Sequence, residues 1–279
     1  MKAIFLADAH LLTPTEAAYQ DLLRFLQQLP QDLDRLFILG DFFDFWIGGP
    51  AAPPPAYEPV LTALAEIVGQ GVEIHLFAGN HELSGGPQLA ARGLIWHDGA
   101  AIVELDGLRL YLAHGDQLNP EDYAYRLWRA LIRHPLFLYL IERFPTALVR
   151  ELALYLSRKS RHHNGRGKFI PPQVYRSGAR LLKSDLKAAV IGHFHQARAE
   201  RFILNGQSKT LYLLDDWNNE RAYLSLQDGR FNYCNFRRSE PESGGTNRPN
   251  HAAPANFPDG TEKKTTDTGD AASLRPCDR

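Results

Sequence analysis

Five short blocks of the sequence carry side chains that hold divalent metal ions in proteins. Taken together, the five blocks supply histidine, aspartate and asparagine. Imidazole nitrogens together with carboxylate or amide oxygens suit Mn, Fe, Zn or Co. A single block of this kind occurs by chance in many chains, so the interpretation depends on all five together. In chain order they are DAH at 8–10, GDFFDFW at 40–46, GNHE at 79–82, HGD at 114–116 and GHFH at 192–195.

Divalent cations held by side chains of these types can activate a bound water molecule. The two cysteines, Cys234 and Cys277, are not in a CxxC spacing, so a zinc site built from cysteine is not indicated. A metal ion bound by this chain is therefore expected to be held by histidine, aspartate and asparagine.

The blocks lie in a chain of 279 residues whose composition, 44% hydrophobic and 23% charged, is that of a folded globular protein. Short apolar runs alternate with segments of helical periodicity up to residue 238, and this alternation predicts an α/β layered domain. The candidate strands are 2–7, 35–39, 72–78, 108–113, 188–191 and 209–214, and the clearest helical segments are 15–29 and 59–68.

The first five candidate strands end where the five blocks begin. Open α/β sheets build their binding sites at the carboxyl ends of their strands. We therefore predict that the side chains which follow these strands converge on one site. Those side chains are Asp8 and His10, Asp41, Asn80 and His81, His114, and finally His193 and His195.

The order of the five blocks resembles the calcineurin-like metallophosphoesterase superfamily across essentially the whole predicted domain. The resemblance implies a four-layer α/β/β/α sandwich, in which two mixed sheets are flanked by helices and a helical cap is inserted. It also implies two divalent metal ions that are bridged by Asp41. The other ligands that it implies are Asp8, His10 and His195 for the first ion, and Asn80, His114 and His193 for the second.

The resemblance also implies a catalytic role for His81. In the superfamily the histidine at this place protonates the leaving oxygen or stabilises its developing charge, which suits an imidazole that titrates near neutrality. The alternative is that His81 only supports a neighbouring ligand, as residues around metal sites often do. Glu82 and Asp116 are interpreted as such supports, which orient the loop around Asn80 and the ring of His114.

Longer stretches narrow the resemblance to one family. ILGDFFDFWIG, and QLNPEDYAYRLWRALIRHP after the HGD, look like the UDP-2,3-diacylglucosamine pyrophosphohydrolases of lipid A biosynthesis. That family releases UMP and 2,3-diacylglucosamine 1-phosphate, usually with Mn. This chain has His81 where members usually have arginine, and GHFHQA where they have GHTHRP. The substrate contacts that the resemblance implies are Asp122, Tyr125, Arg158, Ser160, Asn164 and Lys168.

A helical arm at about 120–170 separates the fourth block from the fifth. Between residues 126 and 168 it has ten Lys or Arg against two acids, beside the apolar run LFLYLI at 136–141. A basic face next to an apolar surface favours an anionic lipid at the inner face of the cytoplasmic membrane, with the protein bound peripherally. The alternative is an ordinary helical pair that packs on the core. The formal net charge of −1 and the lack of a recognition motif argue against nucleic acid.

The remaining sequence sets the domain limits and the location. Residues 239–279 are rich in Pro, Gly, Thr, Asp and Asn and are predicted to be a disordered tail after a domain at 1–238. No signal peptide or membrane-spanning stretch is evident, so a cytoplasmic location is expected. Besides hydrolysis of the UDP-linked lipid, two functions stay open: hydrolysis of another nucleotide-linked or soluble phosphodiester, and a noncatalytic scaffold, which would typically have lost ligands.

Overall fold

Two mixed β-sheets form the frame of the protein in a computed structural model that describes residues 1–49, 52–141, 143–144 and 170–239. The strands in this part of the chain are β1 Lys2–Leu6, β2 Arg35–Ile38, β3 Glu73–Phe77, β4 Ile95–His97, β5 Ala101–Leu105, β6 Leu108–Ala113, β7 Ala188–Ile191, β8 Arg198–Leu204, β9 Gln207–Leu213, β10 Ala222–Gln227 and β11 Arg230–Asn235. The α-helices there are α1 Ala17–Gln27, α2 Glu58–Gly69, α3 Gly86–Ala90, α4 Tyr123–Ile132, α5 Pro135–Ile141, α6 Pro172–Leu181, α7 Trp217–Glu220 and α8 Phe236–Ser239.

The parallel strands of both sheets direct their carboxyl ends to the loops that matter for function. The first sheet has the strand order β11-β10-β1-β2-β3-β4, and β1 to β4 are parallel. The second sheet has the order β5-β6-β7-β9-β8, and β6, β7 and β9 are parallel. Antiparallel strands complete both sheets: β10 and β11 in the first, and β5 and β8 in the second.

The central core lies between the two sheets. Alternate side chains of a strand point to opposite faces, and β1 is apolar on both faces, so it must be covered on both. Phe5 and Phe37 stack on each other from the first sheet, with ring centroids 5.0 Å apart. They pack in one buried cluster with Leu112 and Val190 from the second sheet.

Helices cover the two outer faces. Leu6 and Ile38 point away from the central core and pack against side chains of α1 and α2, such as Leu22 and Leu61. On the other side, Ile191 lies in a third buried cluster with residues of α6. The order of layers is therefore α/β/β/α, as the family resemblance implies.

The predicted elements agree closely with those observed. All six candidate strands are present, and α1 and α2 lie where the helical periodicity places them. The strands β4, β5, β8, β10 and β11 add to the prediction. The predicted tail lies outside the described residues except for its first residue, Ser239. No helix in the described ranges is long and apolar enough to span a bilayer.

The described part of the arm forms two helices, α4 and α5, which we call the cap. Asp122 caps the amino end of α4, because its carboxylate accepts a hydrogen bond from the backbone N–H of Tyr125 at 3.0 Å. Ile132 is the one buried residue of α4, and α5 has none. The cap therefore contributes little to the core, and most of its apolar surface stays exposed.

Candidate metal centre

The loops that follow β1, β2, β3, β6 and β7 meet at one end of the sandwich. Backbone hydrogen bonds join the first two loops, since the N–H groups of Asp8 and His10 donate to the carbonyls of Gly40 and Asp41 at 3.0 and 2.9 Å. A longer-range bond joins the two sheets, because the backbone N–H of His193 donates to Oδ2 of Asp8 at 2.9 Å. Hydrogen bonds within the protein thus hold together residues that are far apart in sequence.

The backbone at five of the seven predicted ligands is left-handed, with φ between 45° and 69°. Such a conformation costs a residue with a side chain about 1–3 kcal/mol and persists only where the surrounding structure enforces it. It aims each side chain sharply into the space between the loops. The five residues are Asp8, His10, Asp41, His193 and His195.

Two glycines allow the loops to approach one another. A Cβ atom at Gly79 would overlap the carboxylate and backbone nitrogen of Asp41. At Gly192 a Cβ would lie 2.6 Å from the Cβ of Ala7 and 2.8 Å from Oδ2 of Asp8. The glycines of GNHE and GHFH are therefore needed because there is no room for a side chain.

One group of ligand atoms converges on Nε2 of His114. This atom lies 3.1 Å from Nδ1 of His193, 3.2 Å from Oδ1 of Asn80 and 3.5 Å from Oδ2 of Asp41. Nδ1 of His114 is 2.8 Å from the carbonyl of Leu39, which can only accept a hydrogen bond. Nδ1 therefore carries a proton, and the lone pair of Nε2 is available to a cation.

A second group forms around Asp8. Its Oδ1 lies 3.2 Å from Nε2 of His195, and Nε2 of His10 lies 3.9 Å from Oδ2 of Asp41. Nδ1 of His195 faces a carboxylate oxygen of Asp216 at 3.4 Å, and such a partner orients a ligand histidine. Burial opposes a charge on His195, but Asp8 and Asp216 raise its pKa to about 10. A positive charge is thus strongly favoured between these two carboxylates.

These groups fit divalent cations. Ligand atoms about 2.1 Å from one ion lie roughly 3.0–3.4 Å from one another in octahedral or tetrahedral geometry, and the separations around His114 and Asp8 are close to that range. Within the described ranges, three sets of carboxylate and imidazole groups have possible ligand atoms within 4.8 Å of one another, among them Asp8 with His10 and His195. Nδ1 of His10 is buried with no hydrogen-bond partner among the described residues.

The charges of the cluster are balanced within it. Burial alone would raise the pKa of Asp41, but His114 and neighbouring imidazoles hold that pKa well below its usual range. Burial likewise opposes a charge on His114, but Asp41 and Asp8 raise its pKa to about 8. Burial and the charge of His114 lower the pKa of His193 to about 4. A proton on Nε2 of His114 thus occupies the place of a cation, and metal binding there would displace it, whereas the proton on Nδ1 would remain.

Glu82 supports the cluster without belonging to it. Its buried carboxylate accepts hydrogen bonds at 2.7–3.0 Å from the backbone N–H groups of Asp41, Phe42, Phe43 and Gly79. Burial and the nearby charge of Asp41 raise the pKa of Glu82 to about 7. The support predicted for the loop around Asn80 is therefore present.

Asp116 has a different role from the one predicted. The ring of His114 is oriented by the carbonyl of Leu39, whereas the carboxylate of Asp116 accepts a hydrogen bond from the hydroxyl of Tyr125 at 2.5 Å. It also pairs with the guanidinium of Arg129 at 2.8 Å. Asp116 thus anchors the cap beside the cluster.

His81 lies at the edge of the cluster. Nδ1 of His81 is 2.6 Å from the carbonyl of Asp44, so this nitrogen carries a proton. Nε2 lies 3.9 Å from Oδ2 of Asp41, and the ring meets that of His10 edge to face at 4.8 Å. Burial opposes its charge, but Asp41 raises the pKa of His81 above its ordinary value.

The predicted substrate contacts are described only in part. Asp122 begins α4, and the ring of Tyr125 lies 6.4 Å from that of His193. The other four residues lie outside the described part of the chain: Arg158, Ser160, Asn164 and Lys168.

Two supporting residues were missed from the sequence. Asp216 follows β9, so the rule that ligands follow strands could have found it. Arg133 was counted with the basic face of the arm, but its Nη2 donates to the carbonyls of Gly79 and Glu82, both at 2.6 Å. Its Nη1 donates to the carbonyl of Asp98 at 3.1 Å. Carbonyl partners leave no mark in a sequence, so only the structure identifies this link.

The layered fold and this cluster define a metal-dependent hydrolase. The family model for calcineurin-like phosphoesterase matches residues 1–197, so the chain belongs to that family, which uses divalent metal ions. The expected fold, family and type of cofactor are thereby confirmed.

Several relatives match over most of their length. A UDP-2,3-diacylglucosamine hydrolase of Nitrosococcus oceani is 30% identical over 247 residues, which cover 88% of this chain and 98% of the relative. The enzyme of that name from Edwardsiella ictaluri is 30% identical, with 81% and 88% covered. The Yersinia pseudotuberculosis enzyme is 32% identical, with 81% and 95% covered.

The close approach at Gly79 predicts the effect of an added methyl group. Gly79→Ala should displace the Asp41 carboxylate, lower the bound metal per chain and reduce turnover by roughly 10²-fold or more, since displacements of about 1 Å have that effect. Gly69→Ala is the matched control, because nothing lies within 4 Å of a Cβ there. Metal analysis and kcat measure both. Full metal content and normal kcat in Gly79→Ala would contradict this account of the loop.

The bonds of Arg133 predict a separation of metal binding from turnover. Arg133→Met should keep both ligand groups but release the loop around Asn80 and His81, which lowers kcat by about 10- to 100-fold. Arg126→Met is the control on the same helix, because Arg126 is exposed and bonds only the carbonyl of Pro120 among the described residues. Equal kcat values in the two variants, with equal metal content, would assign Arg133 no role in positioning.

Proposed function

We propose that the protein hydrolyses the pyrophosphate of UDP-2,3-diacylglucosamine to UMP and 2,3-diacylglucosamine 1-phosphate. The observation that carries the proposal is that the side chains at all seven predicted ligand positions converge in a chain that resembles hydrolases of this substrate over 81–88% of its length. A noncatalytic scaffold would have no need to keep such a set in a strained, buried cluster.

Asp8, His10 and His195 would hold one divalent ion and Asn80, His114 and His193 the other, with Asp41 between them. Manganese suits this mixture of imidazole, carboxylate and amide donors. Such ions supply Lewis-acid polarisation of the phosphate and neutralise charge on it. The separations of 3.1–3.5 Å around Nε2 of His114 support this assignment.

His81 is the residue we assign to proton transfer. Its Nδ1 is held by the carbonyl of Asp44, and this fixes the ring so that Nε2 faces the cluster. From that position the imidazole can donate a proton to the leaving oxygen or stabilise its charge. Glu82 and Arg133 keep the backbone on either side of His81 in place.

The cap is suited to the lipid half of the substrate. Tyr123, Leu127 and Leu131 lie four residues apart along α4, so they share one face, and all three are exposed. Leu136 and Leu140 of α5 are exposed as well. Burial of acyl chains here would gain roughly 0.8 kcal/mol per methylene. The same face would bind peripherally to the inner face of the cytoplasmic membrane.

The charge of the cap is less available to lipid than the sequence indicates. Arg129 pairs with Asp116, and Arg133 bonds carbonyls of the site loops. Arg143 lies over the ring of Tyr139, with its Cζ 3.5 Å from the ring centroid. Attraction to anionic lipid headgroups would depend on Arg126 and on the basic residues outside the described part of the arm.

A second candidate is hydrolysis of another nucleotide-linked or soluble phosphodiester. The observation in its favour is His81, which stands where the family resemblance implies arginine. An imidazole presents a shorter and less extended donor than a guanidinium. A substrate with a smaller group beside the phosphate would suit it.

An assay with matched substrates tests the proposed function. The purified chain with Mn²⁺ should release UMP from UDP-2,3-diacylglucosamine at least about tenfold faster, by kcat/KM, than from UDP-N-acetylglucosamine. His81→Ala should keep its metal and lose roughly 10² to 10⁴-fold in kcat. Equal activity on acylated and unacylated substrates would favour the second candidate.

Charges placed on the cap test its role in lipid binding. Leu127→Asp with Leu131→Asp should fold normally, because these side chains are 74% and 55% exposed. The ratio of activity on the diacylated substrate to activity on bis(p-nitrophenyl) phosphate should fall at least about tenfold, since apolar burial is lost. Ile203→Asp is the matched control, since Ile203 is 71% exposed on β8. An unchanged ratio in the cap variant would remove the cap from acyl binding.

A further inference from the structure

A cavity of about 290 Å³ opens beside the metal cluster. His10 belongs to both, because its ring forms one wall of the cavity and its Nε2 faces Asp41. Leu12, Glu16 at the start of α1 and Asn218 of α7 also line it. A volume near 300 Å³ is at the lower end of the range of small-ligand sites.

The cavity and the cap lie on opposite sides of the cluster. In the first sheet the order of neighbours is β10-β1-β2-β3-β4. The cap contacts the loops after β3 and β4, through the carbonyls of Gly79 and Asp98. The cavity is bounded by the loop after β1 and by α7, which precedes β10. Asp41 follows β2, between the two. A substrate laid across the cluster would place one end at the cap and the other in the cavity.

Glu16 lines the cavity, and its carboxylate has no hydrogen-bond or ion-pair partner among the described residues. It occupies the amino-terminal capping position of α1, where Ser, Thr, Asp or Asn is preferred, and its side chain makes no capping bond. Only the backbone of Glu16 is bonded in the described part of the chain, where its N–H donates to the carbonyl of Thr13. The carboxylate is therefore available to donors in the cavity.

The backbone of Asn218 is held by hydrogen bonds, whereas its side-chain amide has no hydrogen-bond partner among the described residues. Its N–H donates to the carbonyl of Asp8 at 3.3 Å, and its own carbonyl accepts a hydrogen bond from Nη1 of Arg221. Arg221 is buried and is held in turn by Asp21, whose Oδ2 lies 2.7 Å from Nε. A held backbone lowers the entropy cost of binding through the side-chain amide.

We propose that this cavity binds the nucleoside of the UDP-linked substrate, with Glu16 accepting hydrogen bonds from ribose hydroxyls and Asn218 pairing with the edge of the uracil. Carboxylates hold ribose hydroxyls in dinucleotide sites, and an amide offers both a donor and an acceptor to the N3–H and carbonyl groups of uracil. Leu12 provides an apolar contact for the base. The inference rests on the proposed function, because that function supplies the nucleotide.

Titration calorimetry on the Mn²⁺-loaded full chain tests the cavity without turnover. The probes are UMP, which would occupy both the cluster and the cavity, and inorganic phosphate, which would occupy the cluster alone. Glu16→Gln should weaken UMP binding about tenfold or more, and Asn218→Ala about fivefold, while both keep the phosphate affinity of the unchanged protein. Glu220→Gln is the matched control, since Glu220 is an exposed acid on α7 away from the cavity.

Melting temperature and metal content are measured for each variant, and Asn218→Ala carries the test if Glu16→Gln fails to fold. Unchanged UMP affinity in both cavity variants, or no UMP binding by the unchanged protein, would overturn the nucleoside site even if the diacylated substrate is hydrolysed. Weakened UMP binding in a chain that does not hydrolyse UDP-2,3-diacylglucosamine would support the nucleoside site and reject the proposed lipid substrate. The two proposals therefore fail separately.

Discussion

The geometry of the metal centre depends on a buried carboxylate that is not one of its ligands. Glu82 accepts four backbone hydrogen bonds, three from the loop after β2 and one from the loop after β3. A buried N–H group without a partner costs about 1–3 kcal/mol, so the two loops are strongly held to this side chain. Asp41 stands on the first of these loops and Asn80 on the second. Their separation, and with it the spacing of the whole cluster, follows from Glu82.

Strain and close packing keep the other ligands in place. Five residues have a left-handed backbone, which would be unfavourable in a free loop, but here each of these loops is hydrogen-bonded to a neighbouring one. Two glycines allow the loops to pack closely, because there is no space for a side chain at either position. The predicted ligand atoms are thus arranged by the fold itself. The cap is bound to this arrangement through Arg129 and Arg133, and the cavity shares His10 with it.

Much of this could be predicted from the sequence because the ligands directly follow apolar strands. Asp8 and His193 come two residues, and Asn80 three residues, after the end of a strand that is buried on both faces, and such strands are easily recognised. The missed strand β8 has a mostly exposed alternation of charged and apolar residues, and β4 has only three residues. The roles of Arg133 and Glu82 could not be fully predicted from the sequence, because their hydrogen-bond partners are backbone groups, which every residue has.

The two arginines of α4 also constrain how the protein can change during evolution. Arg129 and Arg133 bond Asp116 and the carbonyls on both sides of Asn80, so the element that we propose for lipid binding is also part of the scaffold of the candidate metal centre. A cap transplanted from a relative would alter substrate range without loss of rate only if it brought equivalent guanidinium groups at the same four-residue interval. Diversification of substrates in this lineage should therefore proceed by changes on the outer face of α4, while its inner face is inherited unchanged.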